Sequence, residues 1–393
     1  MAGKTGIMIC GHGSRAKSAK QEFGLLARGV RARLPDTPVE YGFLEYSAPS
    51  IHMGLDALCA AGVDRVVAVP GMLFAATHAR NDIPSVLTTY QEKTPGLRLS
   101  YGRELGLHPQ MIAAFETRIL EALGLAHVHD GALYDTMLVV VGRGTSDTLA
   151  NAEAARLARI VTENLGFGWS ETVYSGVTFP SVGRGLELAL RLGFKRVVVA
   201  PYFLFTGRLV DRIYGYVDRV AAAHPAVTFL KARYLADHEH VINTFLARIA
   251  EAEAGTIADS ADLMADFRAR LARGEVTVHH HHAEYRDPLD DEAAGDRSHD
   301  HGHGHGGHGH HHHGHGHGHG HGHGHGAYRH IAHPNGPRTM IDEGVCCCFM
   351  SQFPDEVIRQ ERAARGATSL PTRLGVEKRQ KDQHRDAAGA DPD

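Results

Sequence analysis

Short apolar runs of strand length alternate, over the first 255 residues, with longer stretches in which apolar side chains recur at helical spacing. The runs predict strands over 5–10, 38–43, 65–70, 97–101, 136–142, 171–177, 195–201 and 227–233. Between them, segments such as 16–33, 108–123, 147–165 and 237–253 carry the helical pattern. Strand, helix and strand repeated in this order predict an α/β fold whose parallel sheets are covered on both faces.

The pattern also repeats itself. "ICGHGSR" (9–15) returns as "VVGRGTS" (140–146), and "RVVAVPGMLF" (65–74) as "RVVVAPYFLF" (196–205), at a constant offset of 131 that Pro49/Pro180 and Ser50/Ser181 share. Further on, "LGLHPQMI" (105–112) matches "LADHEHVI" (235–242) at an offset of 130. Two homologous α/β halves, 1–128 and 133–255, are therefore expected to pack as a pseudo-twofold pair with a cleft between them.

Beyond residue 255 the character changes. Within 256–278, "ADLMADFRARLARGE" (261–275) predicts one exposed helix acting as a linker. A histidine-rich segment (279–335) and a polar tail (336–393) follow. The Gly-His tract has too little apolar surface to offset its ordering entropy, so it is expected to be disordered in the absence of metal.

Composition narrows the function. A formal charge of -4 gives no basic field, so nucleic acid is not the favoured partner. No apolar run nears the roughly 18 residues that span a bilayer, and the amino terminus lacks a signal-peptide layout, so a cytosolic protein without a membrane partner is expected. The five cysteines form no disulfide framework. Histidine is the anomaly, because 21 of the 31 lie between His279 and His333.

Aligning the halves exposes an asymmetry. His12 becomes Arg143, Glu45 becomes Gly176, and His78 falls opposite Arg208 and Leu209. His12 and Glu45 directly follow predicted strands and His78 lies a few residues beyond a third, so the three can converge along one sheet edge. Two imidazoles and a carboxylate suit a borderline divalent ion, and the same groups can accept protons near neutral pH. Any one of them alone would read as a surface or capping residue; the set, absent from the duplicate half, reads as a site. Cys10 reads as a small buried strand residue, and His52 and His108 as structural residues on helix faces.

His301, His303, His305, His308, His310, His311, His312, His313, His315, His317, His319, His321, His323 and His325 form an auxiliary metal-binding tract, since neutral imidazoles on one segment satisfy many coordination geometries. Its internal position and length argue against a purification tag. Cys346, Cys347 and Cys348 lie adjacent and lack the spaced pattern of an iron–sulfur site; metal or cluster binding, redox-sensitive thiols and no role all stay open for them.

"GHGSR", "FLEYSAPSI" (43–51) and "VPGMLFAATHARNDIP" (69–84) together resemble the class II tetrapyrrole chelatases, specifically the sirohydrochlorin chelatases of the long CbiX type, over about residues 1–250. The resemblance implies insertion of a divalent metal into sirohydrochlorin or a related tetrapyrrole in the cleft, without ATP. It implies His12 and His78 as catalytic, metal-binding histidines and Glu45 as their acidic partner. It implies a substrate rich in carboxylates, for which Arg143, Arg184, Arg208 and Arg212 are the candidate binders or else solvated surface. Cobalt, on a route to cobalamin, is the ion favoured; Fe²⁺ toward sirohaem and Ni²⁺ are the alternatives. A metal-storage protein or metallochaperone acting through the tract is the reading from another class.

Overall fold

The computed structural model describes residues 3–278 except Arg15, Ser146, Val177 and Thr277. The Gly-His tract, His279–His282 and the Cys346–Cys348 triplet lie outside the described residues. No described helix is long and apolar enough to cross a membrane.

The first half runs β1 (Thr5–Gly11), α1 (Lys17–Arg33), β2 (Val39–Phe43), α2 (Ile51–Ala60), β3 (Arg65–Pro70), a π-helical turn (His78–Asp82), α3 (Ile83–Lys93), β4 (Arg98–Tyr101) and α4 (Pro109–Leu123). The second runs β5 (Thr136–Gly142), α5 (Thr148–Leu165), β6 (Trp169–Tyr174), α6 (Val182–Arg191), β7 (Arg196–Pro201), α7 (Arg208–Ala223), β8 (Thr228–Lys231) and α8 (Glu239–Ala254). Each half holds one parallel sheet, ordered β2-β1-β3-β4 and β6-β5-β7-β8. The chain reverses its direction of travel between β1 and β3, and the corresponding crevice in an open sheet is where ligands bind.

Side chains alternate across the pleat, so each sheet sends one set inward between the halves and one set outward. Ile7, Ile9, Val67 and Val69 join Leu138, Val140, Val198 and Ala200 in a single core, filled by Phe115 of α4 and Phe245 of α8. The outward sets form separate cores. Two buried arginines tie the halves reciprocally: Arg118 donates to the Leu235 carbonyl at 3.1 Å and Arg248 to the Leu105 carbonyl at 2.9 Å. Each also pairs with a glutamate one turn on, at 2.8 Å, which offsets the cost of burying its charge. The halves thus share one interior, and the cleft is the open end of that interface.

The segment expected to be an exposed helical linker behaves otherwise. It does form a helix, α9 (Leu263–Ala272), but Leu263, Met264 and Phe267 are buried in the outward core of the first half. Arg270 of α9 donates to Asn81 Oδ1 at 2.5 Å and to the Arg80 carbonyl at 2.8 Å, gripping the π-helical turn.

Candidate metal centre

The loop after β1 needs glycines for measurable reasons. A Cβ at Gly11 would come within 2.9 Å of the rings of Phe23 and Phe43. At Gly13, where φ is +98°, a Cβ would fall 1.6 Å from the Glu45 carbonyl oxygen. With both side chains absent, β1 and β2 stay in register past their ends: Leu44 N–H donates to the Gly11 carbonyl at 2.8 Å and Glu45 N–H to the His12 carbonyl at 3.0 Å. Ser47 Oγ closes the loop by donating to the Ser14 carbonyl at 2.6 Å. His12 and Glu45 are therefore placed by backbone hydrogen bonds, not by chance contact.

His78 arrives on the π-helical turn after β3, and its ring meets that of His12 edge-on at a centroid distance of 4.2 Å. Glu45 Oε1 lies 3.5 Å from His12 Nδ1. One ligand atom from each of His12, Glu45 and His78 lies within 4.8 Å of the other two, and this is the one such cluster among the described residues. His12 Nδ1 is buried and makes no hydrogen bond, as a nitrogen kept for another partner would be.

Electrostatics suits a ligand role. Burial first, then the charges of His78 and Arg143, lowers the His12 pKa to about 3, so its imidazole is neutral at physiological pH and its lone pair is free. Burial likewise raises the Glu45 carboxyl, more than neighbouring His78 and Arg143 lower it. The adjoining Tyr46 adopts φ 62°, an unusual backbone state for a non-glycine residue that accompanies functional loops.

The cluster opens on a cleft of about 460 Å³, within the range of ligand pockets. His12 and His78 line one wall; Arg143, Thr145, Asn151 and Arg208 of the second half line the other, over an apolar floor that includes Phe74 and Phe205. Both arginines are exposed. Arg184 and Arg212 are not among the described lining residues; Arg184, on α6, pairs with Glu187 at 2.8 Å.

A family model, CbiX, matches residues 6–122 and again 137–252, which together make up more than half of the chain. The chain belongs to the CbiX family. It is 34% identical over 276 residues to a sirohydrochlorin cobaltochelatase of Priestia megaterium, covering 70% of this chain and 87% of that one. A sirohydrochlorin ferrochelatase of the same organism is 30% identical over 249 residues, covering 61% and 90%. Among solved structures, SirB from Bacillus subtilis with Fe³⁺ superposes with a TM-score of 0.57 at 29% identity, covering 64% of this chain and 97% of that one. SirB in complex with cobalt gives 0.54 at 28%, with the same coverage.

The class II chelatase architecture of two parallel-sheet halves is thus that of a CbiX protein of the long type. Cys10 is fully buried, and burial pushes its thiol well up. His108 is the N-cap of α4, where its Nδ1 accepts from Gln110 N–H at 3.2 Å, and so lies just before the helix instead of on its face. His52, on α2, packs its ring 5.9 Å from that of Tyr90. Sequence reasoning missed Asp82, whose carboxylate meets His78; the signal available was the His-x-x-x-Asp spacing, which aligns both side chains on one helical face.

Proposed function

We propose that this chain inserts Co²⁺ into sirohydrochlorin for cobalamin synthesis without ATP, with ion and tetrapyrrole as substrates and two protons released. The observation that carries the reading is the convergence of His12, Glu45 and His78 in one cluster, whose two histidines line a cleft that Arg143 and Arg208 also line. Insertion requires the ion to lose water, to be presented to the ring, and to displace two pyrrole N–H protons. The imidazoles of His12 and His78 replace water on the ion, and Glu45, a stronger base than a solvated carboxylate, accepts protons. Arg143 and Arg208 meet the carboxylates of the tetrapyrrole while the apolar floor supports its ring. Cobalt is preferred to iron because the cobaltochelatase relative matches more of the chain at higher identity, and because the histidine-rich segment suits borderline ions.

An anaerobic absorbance assay with sirohydrochlorin and Co²⁺, Fe²⁺ or Ni²⁺ in turn tests this. Fastest insertion with Co²⁺ is expected. No insertion with any ion removes the chelatase reading, and a preference for Fe²⁺ turns it toward sirohaem.

Glu45→Gln keeps the shape of the side chain and removes its charge and basicity. Turnover should fall at least about 10²-fold, the low side of a general-base loss, with a smaller change in tetrapyrrole affinity. Unchanged turnover would reduce Glu45 to a structural residue. Reversing charge with Arg143→Glu or Arg208→Glu should weaken tetrapyrrole binding by about tenfold at low salt and less at high salt, as read by fluorescence titration. Equal affinities at low salt would leave both arginines as solvated surface.

Deleting residues 279–326 should leave insertion unchanged at saturating Co²⁺, because the three site residues precede residue 80. At scarce metal it should slow insertion, since ions held on the same chain are at a raised effective concentration near the cleft. Loss of activity at saturating metal would move the chemistry to the tract.

A further inference from the structure

On the reading that the cluster presents metal to a tetrapyrrole, we propose that Asp82 is a positioning residue: its carboxylate accepts the Nδ1 hydrogen of His78 and thereby turns the Nε2 lone pair of that ring toward the cleft. Asp82 Oδ2 lies 2.6 Å from His78 Nδ1, a charge-assisted distance. Nδ1 is thus committed, and a neutral imidazole that donates from Nδ1 has its lone pair on Nε2. A carboxylate behind a metal-binding histidine fixes tautomer and ring orientation together.

Comparison of the two halves shows that this carboxylate is no shared packing feature. β1 and β5, and β3 and β7, are offset by 131 residues, whereas β4 and β8, and the C-caps Thr94 and His224, are offset by 130. The first half therefore holds one extra residue between Phe74 and Thr94, the interval that contains the π-helical turn. A π-helical turn is an insertion in a helix and is common at functional sites. In the second half the helix that follows β7 starts directly as α7, and the positions equivalent to Asp82 are Arg212 and Ile213. Ile213 is buried in an apolar core. Asp82, at 8% exposure, is a carboxylate buried where the copy has none, and burying it is costly without a partner. His78, also absent from the copy, is that partner.

The turn is held from three sides, which keeps the pair in one geometry. Arg270 of α9 grips the Arg80 carbonyl and Asn81, and Tyr101 Oη donates to the Ala79 carbonyl at 3.0 Å. Arg80 in turn reaches Asp147, the N-cap of α5 in the second half, at 3.4 Å and Asp266 of α9 at 3.2 Å.

The test has two arms on the full-length protein. The first reads the tautomer of His78 in the metal-free wild type at alkaline pH by ¹⁵N-histidine NMR, with the signal assigned by its loss in His78→Ala. The Nδ1–H tautomer is expected, and Asp82→Asn, whose amide can donate to Nδ1, should shift His78 toward Nε2–H. The second arm measures insertion kinetics with free Co²⁺ clamped by a chelating buffer. Asp82→Asn should raise the KM for Co²⁺ about 10- to 100-fold with little change in the KM for tetrapyrrole, and Asp82→Glu should recover part of the loss. A wild-type His78 in the Nε2–H form, or a folded Asp82→Asn variant with unchanged tautomer and unchanged KM for Co²⁺, overturns the role of Asp82. The tautomer arm needs no variant at Asp82, so misfolding of Asp82→Asn cannot shield the proposal. A wild type inactive with every ion overturns the chelatase reading, whereas an active wild type beside an unaffected variant overturns only the role of Asp82.

Discussion

Alanine at His12 or His78 should lower metal insertion at least about 10²-fold, the scale on which a positioned acid-base or ligand group is lost. Either change leaves two of three ligand atoms and an ion that keeps more of its water. The fold should survive, because the side chains retain 21% and 33% exposure and their removal opens onto the cleft instead of sealing a cavity. The two variants should nevertheless differ in stability. Removing His12 deletes a buried nitrogen that has no hydrogen bond, whereas removing His78 takes a 2.6 Å hydrogen-bond partner from the buried Asp82 carboxylate. His78→Ala should therefore melt below His12→Ala by differential scanning calorimetry. Near-wild-type insertion by both variants would mean that the chemistry lies elsewhere.

A change that touches no ligand should be as damaging. Gly13→Ala places a methyl group 1.6 Å from the Glu45 carbonyl oxygen at a φ that L-residues rarely adopt, so the loops after β1 and β2 must move apart. The hydrogen bond from Glu45 N–H to the His12 carbonyl would break, and His12 and Glu45 would separate by an ångström or more. Misplacement on the order of 1 Å costs about 10²-fold in rate, and that loss is expected here. Gly144→Ala, assayed at saturating tetrapyrrole because Arg143 is its neighbour, is the matched control: φ is +80° and its nearest obstacle is the Thr178 methyl carbon at 2.9 Å, away from His12, Glu45 and His78. It should lose less activity for a comparable loss of stability. Equal activity in Gly13→Ala and wild type would show that the register of the two loops does not govern the site.

Much of this was legible before the structure. The runs located every strand to within a few residues, most plainly the central β1, β3, β5 and β7, whose burial on both faces leaves an unmistakable stretch of Val, Ile and Ala. The internal repeat exposed the asymmetry that singles out His12, Glu45 and His78, and the structure brings those three together. What escaped is tertiary. The pattern over 261–275 has Leu263, Met264, Phe267 and the partly buried Leu271 as anchors among charged neighbours, and the surface that receives them exists only once β4 and α3 have assembled. Position in the fold, invisible to composition, separates Arg208, at the first residue of α7 where the helix meets the cleft, from Arg212 one turn further on and Arg184 on α6, which do not line it. The slip from an offset of 131 to one of 130 was present in the sequence, but only the folded chain shows that the π-helical turn absorbs it.

The difference between the two walls has a stoichiometric meaning. Two equally armed halves would offer a macrocycle held between them a metal centre on each of its faces. On the proposed function, with Arg143, Gly176 and Leu209 standing where the other half has His12, Glu45 and His78, traffic through the ring would be one-way: one ion per chain per turnover, entering from the face of the first half while Arg143 and Arg208 hold the rim.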